Sequence, residues 1–387
     1  MDGNTVIYLD HNATTPLHPR VLEKMVPYLT EQFGNPSSFY GLGREARNGL
    51  EQAREKVAGG IGAREDEIVF TSGGTEADNL ALRGVARALR EKGNHIITSV
   101  IEHHAVLKTC EDLATDGFEV TFLPVDGQGL VDPEKVRRCM RPETILISIM
   151  AANNETGAVQ PLREIVAAAS ERGVLVHTDA VQAIGKVEVD VDKLGVDLLS
   201  LSAHKLYGPK GVGALYVRRG TPLLSPMSGG HHERGVRAGT ENVAGAVGLG
   251  EALVLATENR AEEMERLARL RDRLERGLQE RIDDARVNSG EVERVANTTN
   301  LSFRAVDGEA ILLHLDLRGI CASTGSACAT DSPEPSHVLQ GMGLEPRLAQ
   351  GTIRFSLGHD STQEEVERTI EAMAEIVKSL RAISSVA

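Results

Sequence analysis

From about residue 65 to 220, short runs of β-branched and apolar residues alternate with longer stretches in which apolar positions recur every three or four residues. "EIVFTS" precedes a helical pattern opening at Thr75, with Ala77, Leu80, Ala81, Gly84, Val85 and Ala88 on one stripe. "HIITSV", "EVTFLPV", "TILISIM", "GVLVHTD" and "DLLSLS" read as further strands. Such alternation predicts an α/β fold with a mostly parallel sheet and helices on its faces. Ligands of such sheets gather beyond the carboxyl ends of the strands. A charged helical segment over about 258–280, with Met264, Leu267, Leu270, Leu274 and Leu278 on one face, bridges into a different pattern. There "NTTNLSF", a helix near 307–317, "TIRFSL" and a last helix opened by Thr362 predict a smaller α+β unit, Glu365 completing a capping box with Thr362. The loop "STGSACATDSPEP" (323–335) stands apart because its small, turn-forming residues cannot fill a core.

Bulk properties narrow the function classes. With 387 residues the chain can form two or three domains and a core that shields reactive groups from water. A net charge of −14, no tryptophan and 3% aromatic residues argue against a general nucleic-acid or anionic-membrane binder. "MDGNTVIYLD" has no basic stretch leading into an apolar one, and no apolar run is long enough to span a bilayer, so the expectation is a soluble, cytoplasmic protein. Cys110, Cys139, Cys321 and Cys328 lack CxxC spacing, which suggests neither a zinc ribbon nor a disulfide framework.

The residues just after the strands carry the chemistry. "SGGTEADN" follows the first strand: its glycines allow close backbone approach, and a helix starting at Thr75 offers free N–H groups and a positive dipole end to a phosphate. The plain alternative is a capped helix in which Asp78 completes the box of Thr75. The spacing fits neither a P-loop nor GxGxxG, so ATP and NAD are not favoured. Asp179 and Gln182 follow "GVLVHT"; a carboxylate there is structural or pairs with a cationic ring nitrogen. Lys205 follows "DLLSLSAH", flanked by Ser202 and His204, both able to donate to a phosphate. His103 follows "HIITSV" and could lie over a ring and move protons; Asn154, after "TILISIM", could donate to a ring oxygen. An anion site, an acid and a lysine at strand ends of one sheet are the requirements of pyridoxal 5'-phosphate, held as a Schiff base on the lysine.

The ordered motifs "DHNATTP", "FGNPSS", "EIVFTSGGTEADN", "EHHAVL", "ANNETG", "HTDAVQ", "SAHKLYGPKG", "GGHHERGVRAGTEN", "GSACATDSPEPSHVL" and "IRFSLG" resemble the cysteine desulfurases of the NifS/IscS type, over residues 7 to 380. The resemblance implies a fold-type I pyridoxal-phosphate enzyme, a homodimer with its sites at the subunit interface. It implies an aspartate-aminotransferase-like large domain over 14–260 and a small α+β domain of 1–13 and 261–387 carrying the 323–335 loop. Lys205 would be the Schiff-base lysine, Asp179 the partner of the ring nitrogen, His103 the stacking acid/base, and Gln182 and Asn154 ring contacts. Gly74, Thr75, Ser202 and His204 would hold the phosphate, with Thr240 from the other subunit.

Cys328 sits in the small-residue loop, an unsuitable place for an inert thiol and a suitable one for a nucleophile that travels to substrate and carries sulfur away. The family places its persulfide-forming cysteine in this "GSAC" motif. Arg354, in the middle of the apolar run "TIRFSLG", must meet a carboxylate; protein groups could supply it, and in the family it holds the carboxylate of the amino-acid substrate. His231, His232 and Glu233 do not have HExxH spacing, so no metal is expected there.

The implied reaction converts L-cysteine to L-alanine and leaves sulfur as a persulfide on Cys328, for delivery to an acceptor such as an iron–sulfur scaffold. The alternatives are another pyridoxal-phosphate enzyme, such as a selenocysteine lyase or an aminotransferase, and a non-enzymatic docking protein on the same fold. Departures from the family pattern are Ala203 before His204, "GHDST" at 358–362, and an end at Ala387 without the longer tail by which some members engage a scaffold, which leaves the acceptor open. The segment "ERGVRAGTEN" leans towards the NifS side.

Overall fold

The computed structural model describes residues 6–324 and 335–383. Its strands are β1 (Ile7–Tyr8), β2 (Ile68–Thr71), β3 (His95–Ser99), β4 (Glu119–Leu123), β5 (Thr144–Ser148), β6 (Leu175–Asp179), β7 (Leu198–Ser202), β8 (Gly213–Val217), β9 (Ala285–Val287), β10 (Thr298–Phe303), β11 (Ile320–Cys321) and β12 (Thr352–Ser356). Seven of them form one sheet in the order β2-β8-β7-β6-β5-β3-β4. Every pairing is parallel except those of β8, which runs antiparallel to both β2 and β7. β3, β5 and β7 are buried at every position, as strands covered on both faces must be, whereas β4 at the edge exposes Glu119 and Phe122.

This is the expected α/β architecture, with one addition. β8 ("GALYV") turns back along β7 after the loop 203–212, so Lys205 sits between two neighbouring antiparallel strands. The helical stripe after β2 packs as expected through Ala77, Leu80, Ala81, Gly84 and Val85. Its start does not: the helix spans Gly74–Ala88, with Gly73 at the cap position and no side-chain cap. Asp78 is turned into the interior, so the box between Thr75 and Asp78 does not form.

The second half of the chain builds a three-stranded antiparallel sheet, β12-β10-β9, and β1 pairs in parallel with β11. Leu267, Leu274 and Leu278 of the helix Arg260–Arg281 share a core with Ile7, Leu9, Ile353, Phe355 and Ile376. The last helix carries the expected box, with Glu365 N–H donating to Thr362 Oγ1 at 3.2 Å and Thr362 N–H to Glu365 Oε2 at 2.8 Å.

Glu233 serves as a buried counter-ion. Arg54, 3% exposed, donates to its two carboxylate oxygens at 2.7 and 2.9 Å, and Phe70 N–H donates to the same carboxylate at 2.9 Å. Removing one partner of such a pair strands a charge away from water. Arg54→Met is therefore expected to lower stability by about 3–5 kcal/mol in urea unfolding, whereas an exposed arginine such as Arg269 should cost little.

Candidate active site

Beyond the carboxyl ends of the parallel strands lies a cavity of about 430 Å³. Gly74, Thr75, His103, Asn154, Asp179, Gln182, Ser202, His204, Lys205 and Arg354 all line it. Thr240 does not line it and is exposed ahead of the helix Val243–Glu258, and Cys328 lies outside the described residues.

Lys205 ends a single 3-10 turn, Ala203–Lys205, that terminates β7. Its Nζ donates to the carbonyls of Asn12 and Ala13, both at 2.6 Å. These carbonyls come from the segment just after β1, so the amine is held by a distant part of the chain. Gln182 Nε2 donates to the same Asn12 carbonyl at 3.0 Å, and Lys186 Nζ donates to Gln182 Oε1 at 2.6 Å and Asn12 Oδ1 at 2.9 Å.

Beside Lys205 the backbone at the helix start is shaped by two glycines. Gly73 has φ 155° and ψ −177°, a region open almost only to glycine. A Cβ on Gly74 would meet Val181 Cγ2 at 2.8 Å, so glycine is needed for the helix start to reach the cavity wall. The first N–H groups of that helix have no side-chain cap, and Ser202 and His204 stand beside them. His204 is pushed down to about 4 by burial and by the nearby Lys205 and Lys210 charges, so it is neutral at neutral pH.

On the other side are the acid and the histidine. Asp179 ends β6, is buried, and accepts from Val181 N–H at 2.9 Å. Burial raises its pKa, while His103, the Val181 N–H and Lys205 favour its charge. His103 caps the helix His104–Thr115, its Nδ1 accepting from Ala105 N–H at 3.1 Å. That contact places the proton of a neutral ring on Nε2, and burial lowers the pKa of the ring.

Arg354, 2% exposed in β12, donates to Asp10 Oδ1 at 2.7 Å and to the Asn154 carbonyl at 3.1 Å. A carboxylate does meet this buried guanidinium, and here it is one of the protein's own. Sequence reasoning did not single out Asn12, Ala13, Lys186 or Glu102. "DHNATTP" was visible as a motif, but the groups it contributes to the lysine are backbone carbonyls, which leave no trace in residue type. Glu102, fully buried, is pushed up to about 8 by burial, partly offset by hydrogen bonds from Ser99 and Met150.

A strand-end lysine, a buried strand-end acid and an uncapped, glycine-lined helix start on a mostly parallel sheet define the site class of the family described as aminotransferase class-V, whose model matches residues 7–369. The chain is 53% identical to the cysteine desulfurase IscS of Dictyoglomus turgidum, over 98% of this chain and 96% of that one. It is 52% identical to the cysteine desulfurase IscS of Methanosarcina thermophila, over 98% and 94%. Among solved structures, a NifS-like protein superposes with a TM-score of 0.92 at 40% identity, covering 97% of this chain and all of the other. SspA in complex with cysteine gives 0.80 at 39% identity, covering 91% and 99%. The chain belongs to the class-V aminotransferase family and, within it, to the cysteine desulfurases.

Proposed function

We propose that this protein binds pyridoxal 5'-phosphate and converts L-cysteine to L-alanine, passing the sulfur to Cys328 as a persulfide for iron–sulfur cluster assembly. The observation that carries the proposal is the placement of Lys205 and Asp179 at the ends of neighbouring parallel strands, facing one cavity whose third wall is an uncapped helix start. The residues fit the cofactor: the Gly73–Thr75 backbone with Ser202 and His204 suits its phosphate, Asp179 its ring nitrogen, and Lys205 its aldehyde. His103 lies at the cavity as a stacking acid/base, Asn154 and Gln182 as ring contacts, and Thr240 reaches the phosphate from a second copy.

When bound, the cofactor supplies an electron sink at the substrate Cα. Lys205 Nζ is the group that removes and returns the proton at Cα, and His103 Nε2 assists proton movement at the substrate. Arg354 exchanges Asp10 for the substrate carboxylate. The thiolate of Cys328 attacks the substrate sulfur; the S–S bond forms, the Cβ–S bond breaks, and its electron pair stays with carbon, which is then protonated on the way to alanine.

A homodimer accounts for Thr240 and for the exposed apolar side chains of Leu22, Val26, Leu29, Phe33 and Phe39 near the start of the chain. Residues 14–260 act as the cofactor domain and residues 1–13 with 261–387 as the small domain. Among the described residues no helix is long and apolar enough to cross a membrane.

The test is the visible absorbance of the purified protein before and after anaerobic L-cysteine with a thiol reductant, with alanine and sulfide assayed together. Near-equal alanine and sulfide with a spectral change is the expected result. A chromophore without alanine would reopen the substrate, and no chromophore after added pyridoxal phosphate would remove the enzyme reading.

A further inference from the structure

Beneath the helix Gly74–Ala88, a buried polar strip crosses the sheet. His177 and Asp179 lie two residues apart on β6 and so share one face. His177 Nδ1 contacts Ser148 Oγ of β5 at 2.8 Å, and its Nε2 contacts Ser200 Oγ of β7 at 3.0 Å. Asp78 reaches down onto this strip, its Oδ1 standing 3.6 Å from His177 Nε2. Asp78 is 1% exposed, and that Oδ1 has no hydrogen-bond partner.

The two carboxyl groups at this place are differently equipped. Asp179 receives a backbone N–H and has His103 and Lys205 beside it. Asp78 has neither: it makes no ion pair with lysine or arginine among the described residues, and Asp179 and Glu102 are its acidic neighbours. His177 cannot serve as its cation, because burial drives that ring down to about 3 and both its nitrogens are engaged by serine hydroxyls. Of the groups around Asp78, only the Ser200 hydroxyl favours its charge. Asp78 and Asp179 line the same cavity and are 1% and 7% exposed, and two carboxylates so placed, little solvated and close together, oppose each other's ionisation.

We propose that Asp78 and Asp179 form a buried carboxyl pair that shares one proton, held on Asp78, leaving Asp179 as the single anion at the end of β6. Asp78 is then a positioning residue. As a neutral acid it lets Asp179 keep its charge for a cationic ring nitrogen, and as an anion it would force a proton onto Asp179. The inference rests on the cofactor reading for the role of Asp179, but the state of Asp78 belongs to the protein itself.

The experiment reads the protonated carboxyl directly. Buried Glu102 and Glu155 also have raised pKa values, so the infrared spectra of the cofactor-free protein at pH 7.5 are read as wild-type-minus-variant differences. A carboxylic C=O band is expected in the difference for Asp78→Asn and not in that for Asp179→Asn. A band in the Asp179→Asn difference and none in the Asp78→Asn difference overturns the assignment, as does the absence of a band from both. Stability supplies a second reading. Holding a proton on an aspartate far above its unfolded pKa opposes folding at neutral pH, so Asp78→Asn is expected to raise the melting temperature at pH 7.5. A lowered melting temperature there, in a variant that still loses no infrared band, means that Asp78 is an anion serving the fold. Failure of the wild type to bind pyridoxal phosphate would strike the cofactor reading alone, since neither measurement uses the loaded enzyme.

Discussion

Lys205→Ala is expected to abolish the covalently held chromophore and to lower alanine formation by on the order of 10²–10⁴-fold or more. The size follows from the position of the amine. Nζ is anchored by the carbonyls of Asn12 and Ala13 and faces the cavity that also holds Asp179 and the helix start. No other described lysine lines that cavity. Lys186 cannot substitute, because its amine is tied to Asn12 Oδ1 and Gln182 Oε1. Non-covalent retention of pyridoxal phosphate is expected to survive in part, since the glycine backbone, Ser202 and His204 are untouched. Dialysis followed by absorbance separates the two contributions, and a variant that keeps a stable chromophore and full turnover would remove Lys205 from the chemistry.

Cys328→Ala is the second large effect, and its signature is the reverse. The chromophore should remain and should still respond to L-cysteine, because every residue of the cofactor cavity is intact. Sulfide release under a thiol reductant should fall to background, since the substrate sulfur then has no thiolate to accept it and the Cβ–S bond has no nucleophile to break it. Unimpaired sulfide release would overturn the persulfide route and favour a lyase or transaminase that needs Lys205 alone. Cys110 offers a control: it is buried, and burial together with Glu102 and Glu111 pushes its thiol up to about 12, so it cannot replace Cys328 as a thiolate at neutral pH.

Most of the lining of this cavity was legible because parallel strands put the residues at their carboxyl ends in predictable places. Asp179, Lys205, His103 and Asn154 follow apolar runs, and a residue just past a buried strand has the cavity in front of it. Other parts were hidden for separate reasons. Asn12 and Ala13 act through carbonyls, which every residue possesses. Asp78 read as the residue completing the capping box of Thr75 in "GTEAD", and its approach to His177 of β6 shows that it points inward. β8 carries no alternation, so "GALYV" could not be told from an apolar loop until its antiparallel partners β2 and β7 were in place. Lys186 sits in "AIGKVEVD", where a lysine reads as an ordinary surface residue; it is half-buried, with its amine turned onto Gln182 and the Asn12 side chain.

The Asn12–Ala13 segment also sets an order of assembly. β1 pairs with β11 through Ile7 and Ile320, and Asn12 N–H donates to Ser356 Oγ at 2.9 Å, a contact spanning 344 residues. On a growing polypeptide, β2 to β8 can pair with one another as they emerge, and Gln182, Lys186, His204 and Tyr207 can already grip the Asn12–Thr15 segment. The grip from β1, β11 and Ser356 comes last. A nascent chain arrested between residues 260 and 350 should therefore present a folded sheet whose lysine clamp is held from one side and is tightened only as the chain nears completion.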